Sequence, residues 1–440
     1  MKKTRVFIVV STFHPILGGA ERQALEQGRS LRQRGLEATI VTFRHNKSWA
    51  AHDTMDGVPI IRVAGLLLGS RDKLPRVLQK LLYFMALIVM AWKIWQSRHR
   101  YDVLHVYQLS LLALSAALAC YLSGKPMVVA VRCADSGRKD RSQDQVSLIV
   151  GPLDAHRSML RVSVEGRDEE GDLRNLERWG RPIVRFTRYL LQRIHTIIII
   201  LSTRMHDYLV NHDFAFNDVL LIPNGVDTSR FYPVSEDAPG NQRSQTVVCI
   251  ARLYYQKGLD MLLQSWYLVH KELPEARLIV AGSGPLQAQL TYMAEALNLG
   301  ESVEFLGAQS DVAAVLHRGS IAALPSRWEG MPNAILEAMA CGLPCIATRV
   351  SGTEDIIKHE VNGLLVEPED YRAMAQALLA LLRDPARCSA YGKAARETIE
   401  QGYELEHITD LYLELYQRMI SGNKVASESQ TSTDAATETV

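Results

Sequence analysis

Two glutamates stand out as residues able to do chemistry: Glu329 and Glu337, in the stretch SRWEGMPNAILEAMACGLP from Ser326 to Pro344. If both were helical, their spacing would put them about 12 Å apart along the axis. That exceeds the separation of about 5 Å between the acid and nucleophile of a retaining hydrolase. The spacing suits two hydroxyl-binding roles on a longer ligand. A helix should begin near Asn333 and stop at Gly342, just before Pro344. It is apolar almost all round, with Glu337 the exception. Either Glu337 points to water from a half-exposed helix, or it is buried and needs donors or a hydroxyl-rich ligand.

Cations and glycines form the second group. Arg252 and Lys257 follow a strand-like run and precede a helix beginning near Gly258. A diphosphate there would meet a planar fork and a point charge, although exposed charge beside a loop would read the same way. Gly282-Ser283-Gly284-Pro285 lets backbone approach a ligand. It lacks the third glycine of a dinucleotide fingerprint, which argues against a nucleotide-dependent oxidoreductase. Gly18 and Gly19 close a loop between a strand and a helix, where backbone N–H groups suit phosphate, and where a plain tight turn is the alternative. No acidic cluster asks for a divalent metal. An anionic diphosphate leaving group is stabilised by cations and N–H groups, with no general acid required.

These residues need a frame. Strands are expected at Arg5–Thr12, Glu37–Phe43, Pro59–Val63, Asp102–Val106, Pro126–Val131, Thr196–Leu201 and Val219–Ile222, alternating with helices, one of them capped by Ser202. Residues 231–244 read as a linker. Alternation then restarts at Thr246–Ala251, Arg277–Ala281, Ser302–Leu306, Ile321–Leu324, Pro344–Thr348 and Gly363–Val366, and ends with helices up to Met419. The pattern is α/β: two Rossmann-like parallel-sheet domains facing a cleft. The expected division is residues 1–222, completed by a helix at about 402–420, then residues 223–401, then a disordered tail at 421–440. Residues 132–175 read as an insertion, a lid or partly disordered loop.

The chain has 440 residues and a formal charge of +1, so two or three domains are expected and no global field favours nucleic acid. Six scattered cysteines fit a reducing cytosol. The run Val6–Val10 is too short for the core of a signal peptide. Residues 73–100 carry an apolar segment, Leu81–Trp92, flanked by Arg71, Lys73, Arg76, Lys80, Lys93, Arg98 and Arg100. It is too short to cross a bilayer. Burial in the first domain is favoured, with peripheral contact to an anionic membrane as the other reading.

The ordered set resembles the retaining glycosyltransferases of family 4, with the GT-B fold. The matching residues are Gly18-Gly19-Ala20-Glu21, Pro223-Asn224-Gly225-Val226-Asp227, Arg252 with Lys257-Gly258-Leu259-Asp260, Gly282-Ser283-Gly284-Pro285, Glu329 with Glu337-Ala-Met-Ala, and Asn362-Gly363. The resemblance implies that Glu329 holds donor-sugar hydroxyls and Glu337 the ribose. Arg252 and Lys257 take the diphosphate. Gly18, Gly19 and Asn224, with the N–H groups of Gly330, Met331 and Asn333, line the donor site. It also implies a retaining, metal-free transfer with no enzyme nucleophile. The donor is a nucleotide sugar, UDP favoured over GDP, and the acceptor a glycan or lipid-linked glycan. The other reading is an inactive relative that binds nucleotide sugars or a partner. The expected location is cytoplasmic, with membrane contact through residues 73–100 placing it at the inner face. Relatives carry a His after the strand Pro126–Val131. Here Arg132-Cys133 stands there, leaving Arg132 and His105 as candidate first-domain contacts.

Overall fold

The computed structural model describes residues 3–15, 18–64, 75–133, 145–150, 158–163, 172–212, 214, 216, 218–234 and 245–422. The expected tail (except residues 421 and 422), the second half of the linker, Arg71 and Lys73, and much of the expected insertion lie outside them.

The strands, in chain order, are β1 (Arg5–Val9), β2 (Glu37–Phe43), β3 (His52–Met55), β4 (Val58–Val63), β5 (Val103–Val106), β6 (Met127–Val131), β7 (Gln145–Val150), β8 (Ser158–Ser163), β9 (Thr196–Ile200) and β10 (Val219–Leu221). Eight of them form one sheet in the order β10-β9-β6-β5-β1-β2-β4-β3, parallel except for the β3–β4 hairpin. Runs such as MVVAV and TIIII are buried throughout because helices cover both faces of a parallel sheet. A second sheet follows: β11 (Thr246–Ile250), β12 (Arg277–Ala281), β13 (Val303–Gly307), β14 (Ile321–Leu324), β15 (Cys345–Thr348) and β16 (Gly363–Val366). Its order is β13-β12-β11-β14-β15-β16 and every pairing is parallel.

The carboxyl ends of both sheets point at each other, so the loops after β1, β6 and β9 meet those after β14 and β15. The chain crosses between the sheets after β10 and returns at Glu404, which bridges to Val226. The last helix, Leu405–Ser421, then lies on the first sheet. Arg34 holds it through Glu406 and Asp410, and Tyr412 and Tyr416 bury themselves against His105.

Four expectations change. β3, with sequence HDTM, was not anticipated: it is an exposed antiparallel edge with no apolar alternation. In the 132–175 insertion, the two apolar runs pair as an antiparallel hairpin, Gln145–Val150 with Ser158–Ser163, and a short helix follows at Asp172–Glu177. Ser202 does not cap a helix; its hydroxyl bonds that of Ser351 at 2.6 Å across the cleft, and the helix starts at Arg204. The helix Arg76–Gln96 is not simply buried. Ala86, Leu87, Met90 and Ile94 face the core, whereas Leu81, Phe84, Ile88 and Trp92 are exposed. With 20 residues from Val77 to Gln96, it is also long and apolar enough to cross a membrane by length and composition, unlike the shorter run read from sequence.

Candidate active site

The site is built first by the loop between β14 and the helix Asn333–Ala340. Arg327 pins that loop. Its guanidinium makes two bonds to Asp260, at 2.8 and 2.7 Å, and one to the Tyr255 carbonyl at 2.7 Å, and it lies over the Tyr255 ring. Two more bonds, Gln256 to the Trp328 carbonyl and Arg327 N–H to the Gln256 carbonyl, fasten the loop to the turn Tyr255–Lys257. The consequence is local: Lys257 Nζ reaches Glu329 Oε1 at 2.5 Å, and Ser326 Oγ donates to the same oxygen at 2.6 Å. Glu329 is buried, and its charge is met by an ammonium and a hydroxyl within the fold.

About one turn into the helix, Glu337 is also buried, at 8% exposure. No hydrogen bond among the described residues reaches its carboxylate. Burial pushes its carboxyl up to about 7, with Arg22 and Arg230 opposing the shift and Glu26 adding to it. The water-facing alternative for Glu337 is therefore excluded. The N–H groups of Gly330, Met331 and Asn333 likewise have no acceptor among the described residues, so a helix N-terminus with uncommitted donors opens beside the Lys257–Glu329 pair.

The opposite wall comes from the first sheet. Glu21 fixes the loop after β1: its carboxylate accepts from Thr12 Oγ1 at 2.6 Å and from the Gly18 N–H at 2.9 Å. Asn333 Nδ2 donates to the Gly19 carbonyl, and Asn333 Oδ1 accepts from Asn224 Nδ2 at 2.8 Å. Asn224 Oδ1 in turn accepts from Arg132 at 3.0 Å. Two side-chain amides, ending on the Arg132 guanidinium, thus join the two walls. Gly330 sits where the walls touch: a Cβ there would lie 1.7 Å from the Arg132 carbonyl. Only glycine permits that approach.

Arg132 therefore lies at the cleft. His105 does not. It is fully buried on β5, bonded through Nδ1 to Tyr416 at 2.7 Å, and burial pushes it down to about 3. It is a core residue beneath the C-terminal helix, so its candidacy as a donor contact is withdrawn. Gly282 and Gly284 are also re-read. Gly282 has φ +147°, its N–H donates to the Gly307 carbonyl, and a Cβ would lie 1.8 Å from the Ala251 carbonyl. At Gly284 a Cβ would lie 2.4 Å from the Leu253 carbonyl. Both glycines are demanded by the protein's own backbone, which presses this loop onto the one bearing Arg252. Arg252 is half-buried, its guanidinium 5.1 Å from the Tyr254 ring centroid.

Sequence reasoning missed Asp172. It is buried, and it accepts from the Arg132 N–H at 2.7 Å and from Gln108 at 3.4 Å. Burial raises its carboxyl to about 7. It anchors the backbone that touches Gly330, and no local pattern links positions 132 and 172. Arg327 and Ser326 were passed over too, although the motif stretch contained both. Among the described residues no group of three or more His, Cys, Asp or Glu could hold a metal ion.

Residues 17–230 match the family model described as Glycosyltransferase Family 4, and residues 235–398 the one described as Glycosyl transferases group 1. The chain is 32% identical over 211 residues to UDP-Gal:alpha-D-GlcNAc-diphosphoundecaprenol alpha-1,3-galactosyltransferase of Escherichia coli, covering 45% of this chain and 54% of that one. It is 24% identical over 421 residues to N-acetyl-alpha-D-glucosaminyl L-malate synthase of Bacillus anthracis, covering 94% and 97%. The chain spans about half the length of the E. coli protein and of several other curated relatives it matches. Sucrose-phosphate synthase from Thermosynechococcus elongatus superposes with a TM-score of 0.74 at 20% identity, over 96% of this chain and 100% of that one. HepE of Anabaena, in complex with UDP-glucose, superposes with a TM-score of 0.68 at 18% identity, over 94% and 99%. Two family models that adjoin across residues 17–398, on a frame of two parallel sheets joined at their carboxyl ends, place the chain in glycosyltransferase family 4 with the GT-B fold.

Proposed function

We propose that this protein is a retaining, metal-independent glycosyltransferase that moves a sugar from a nucleoside diphosphate, UDP rather than GDP, to a hydroxyl of a glycan or lipid-linked glycan, forming an α bond. The observation that carries the reading is the contrast on one short stretch. Half-buried Lys257 and buried Glu329 form a pair beside open helix N–H groups, and Glu337 is buried with no hydrogen-bond partner among the described residues. Ribose hydroxyls would give Glu337 the donors it lacks. The diphosphate would sit between Lys257, Arg252 and the N–H groups of Gly330, Met331 and Asn333. These neutralise the charge that develops as the glycosidic bond breaks. Glu329 orients Lys257 and meets the sugar hydroxyls. With the leaving group so stabilised, the acceptor hydroxyl attacks from the same face and gives its proton to the departing diphosphate oxygen.

Both the E. coli relative named above and a Corynebacterium glutamicum relative bear names that specify lipid-linked acceptors. They support an acceptor of that class, and with it a place at a membrane surface. The UDP-Gal in the name of the E. coli relative and HepE with UDP-glucose favour UDP, whereas the C. glutamicum relative is named as GDP-mannose-dependent, so the donor panel includes both bases.

The test is a panel of UDP- and GDP-sugars scored by thermal shift and slow donor hydrolysis, followed by the anomeric configuration of the product. A donor at about 100 times its Kd should add about 2.7 kcal/mol of stability. A panel in which no UDP-sugar stabilises the protein overturns the donor assignment, and an inverted product overturns the retaining mechanism.

A further inference from the structure

The helix Arg76–Gln96 is not alone on its surface. It packs beside Leu111–Ser123, which packs beside Arg181–Arg193, so three helices lie side by side on one face of the first sheet. Of the nineteen exposed large apolar side chains among the described residues, thirteen belong to these three helices. On the first helix they recur at Leu81, Phe84, Ile88 and Trp92, the spacing of a single stripe. Leu122 extends the patch on the second helix and Phe186 on the third. A contiguous exposed apolar area of this kind marks a docking surface.

Charge identifies the occupant. By sequence, the three helices carry seven Lys and Arg and no Asp or Glu. The whole chain is +1, so everything outside these helices sums to −6. Net positive charge is concentrated on the one face that is also apolar. Lys80, Arg181, Arg185 and Arg193 are exposed, as a rim around apolar residues requires. The Arg76–Gln96 helix cannot leave to span a bilayer without uncovering the core, because Leu87, Met90 and Ile94 belong to it. Anchored in this way, the helix can offer only its outer face to a membrane surface.

We propose that this three-helix face docks on an anionic lipid bilayer, with the apolar stripe in the headgroup boundary and the arginine rim on lipid phosphates. The face leads toward the first-sheet wall of the cleft. Tyr83 stacks on Trp179 at 6.0 Å, Lys80 lies over the same indole, and Trp179 follows the short helix whose Asp172 anchors Arg132. A docked enzyme thus presents its cleft to acceptors held in the membrane. The inference stands on the surface alone and does not depend on donor chemistry.

Flotation of the full chain with vesicles, without nucleotide, tests it. With phosphatidylcholine vesicles containing phosphatidylglycerol the protein should float, with pure phosphatidylcholine it should not, and high salt should release it. Leu81→Glu/Ile88→Glu and Arg185→Glu/Arg193→Glu should each lower bound protein by about tenfold or more, with the melting temperature and the nucleotide-induced shift unchanged. Absence of flotation by the wild type, equal binding to neutral vesicles, or undiminished binding by both variants overturns the proposal. So does a dimer in solution that Leu81→Glu/Ile88→Glu dissociates while vesicles bind neither form, because the face would then belong to a second copy.

Discussion

Glu329 and Glu337 sit eight residues apart on one stretch and are equally hidden from water, yet the fold treats them in opposite ways. Glu329 receives a lysine and a serine hydroxyl, each within about hydrogen-bonding distance, and the loop bearing it is riveted by the Arg327–Asp260 pair. Glu337 receives nothing within the described residues and has its carboxyl pushed up to about 7. The difference separates two kinds of site residue. A carboxylate compensated by its own fold holds the geometry of the cation beside it before any ligand arrives. A carboxylate left uncompensated costs stability until a ligand supplies donors. On the proposed function, the first is part of the scaffold of the chemistry, and the second is part of ligand recognition.

The comparison breaks most visibly at Lys257. On the proposed function, Lys257→Ala removes a cation from the diphosphate site, and in any case it strands Glu329 in a buried position. Donor turnover should fall by a factor on the order of 10²–10³, and urea denaturation should show a loss of about 3 kcal/mol. Unchanged stability would mean that Glu329 is not held by the pair. Gly330→Ala comes next. Its methyl would overlap the Arg132 carbonyl, so the walls must part, and turnover should fall about a hundredfold with the fold intact. Small-angle scattering should report a more open molecule. Glu337→Gln acts in the other direction from Lys257→Ala. UDP affinity, measured by calorimetry, should drop by about 2 kcal/mol, while the unliganded protein holds or gains stability. A destabilised Glu337→Gln variant would show that this carboxylate, too, serves the fold.

How much of this was legible beforehand follows from how far apart the interacting residues lie. Buried parallel strands announce themselves as β-branched runs, so Thr196–Ile200 and Arg277–Ala281 needed only the local sequence. β3 did not, because an exposed edge strand selects no apolar pattern. The glutamate stretch was readable because the chemistry and its stop signal sit together within Ser326–Pro344. What decides the role of each glutamate was not readable: Lys257 is 72 positions from Glu329. The wall-to-wall bond between Asn224 and Asn333 spans 109 positions, and the Tyr416 that removes His105 from the cleft is 311 positions away. Composition showed that residues 76–96 are apolar. It could not show which side of the helix finds the core, because a helix apolar all round hides that choice.

The smallest effect is the most direct measure of the difference between the two glutamates. Glu337 has an ordinary carboxyl value of 4.5 and a folded value of about 7. Its folded value is raised, so the native state holds a proton that the unfolded chain has lost. Stability from this group is present in full below 4.5, falls as pH climbs, and levels off above about 7. Asp172, raised by burial from 3.8 to about 7, slopes the same way. The wild type should therefore lose stability across this window, Glu337→Gln should lose less, and Glu337→Gln/Asp172→Asn should be flatter still. Arg22, Arg230 and Glu26 face Glu337 and set the size of the effect. UDP binding should respond with the opposite sign. On the proposed function ribose hydroxyls donate to the ionised carboxylate, so wild-type affinity should rise between about pH 6 and 8 by more than that of Glu337→Gln. A rise of equal size in both proteins would move the titrating group away from Glu337 and remove the contrast with Glu329 on which its recognition role rests.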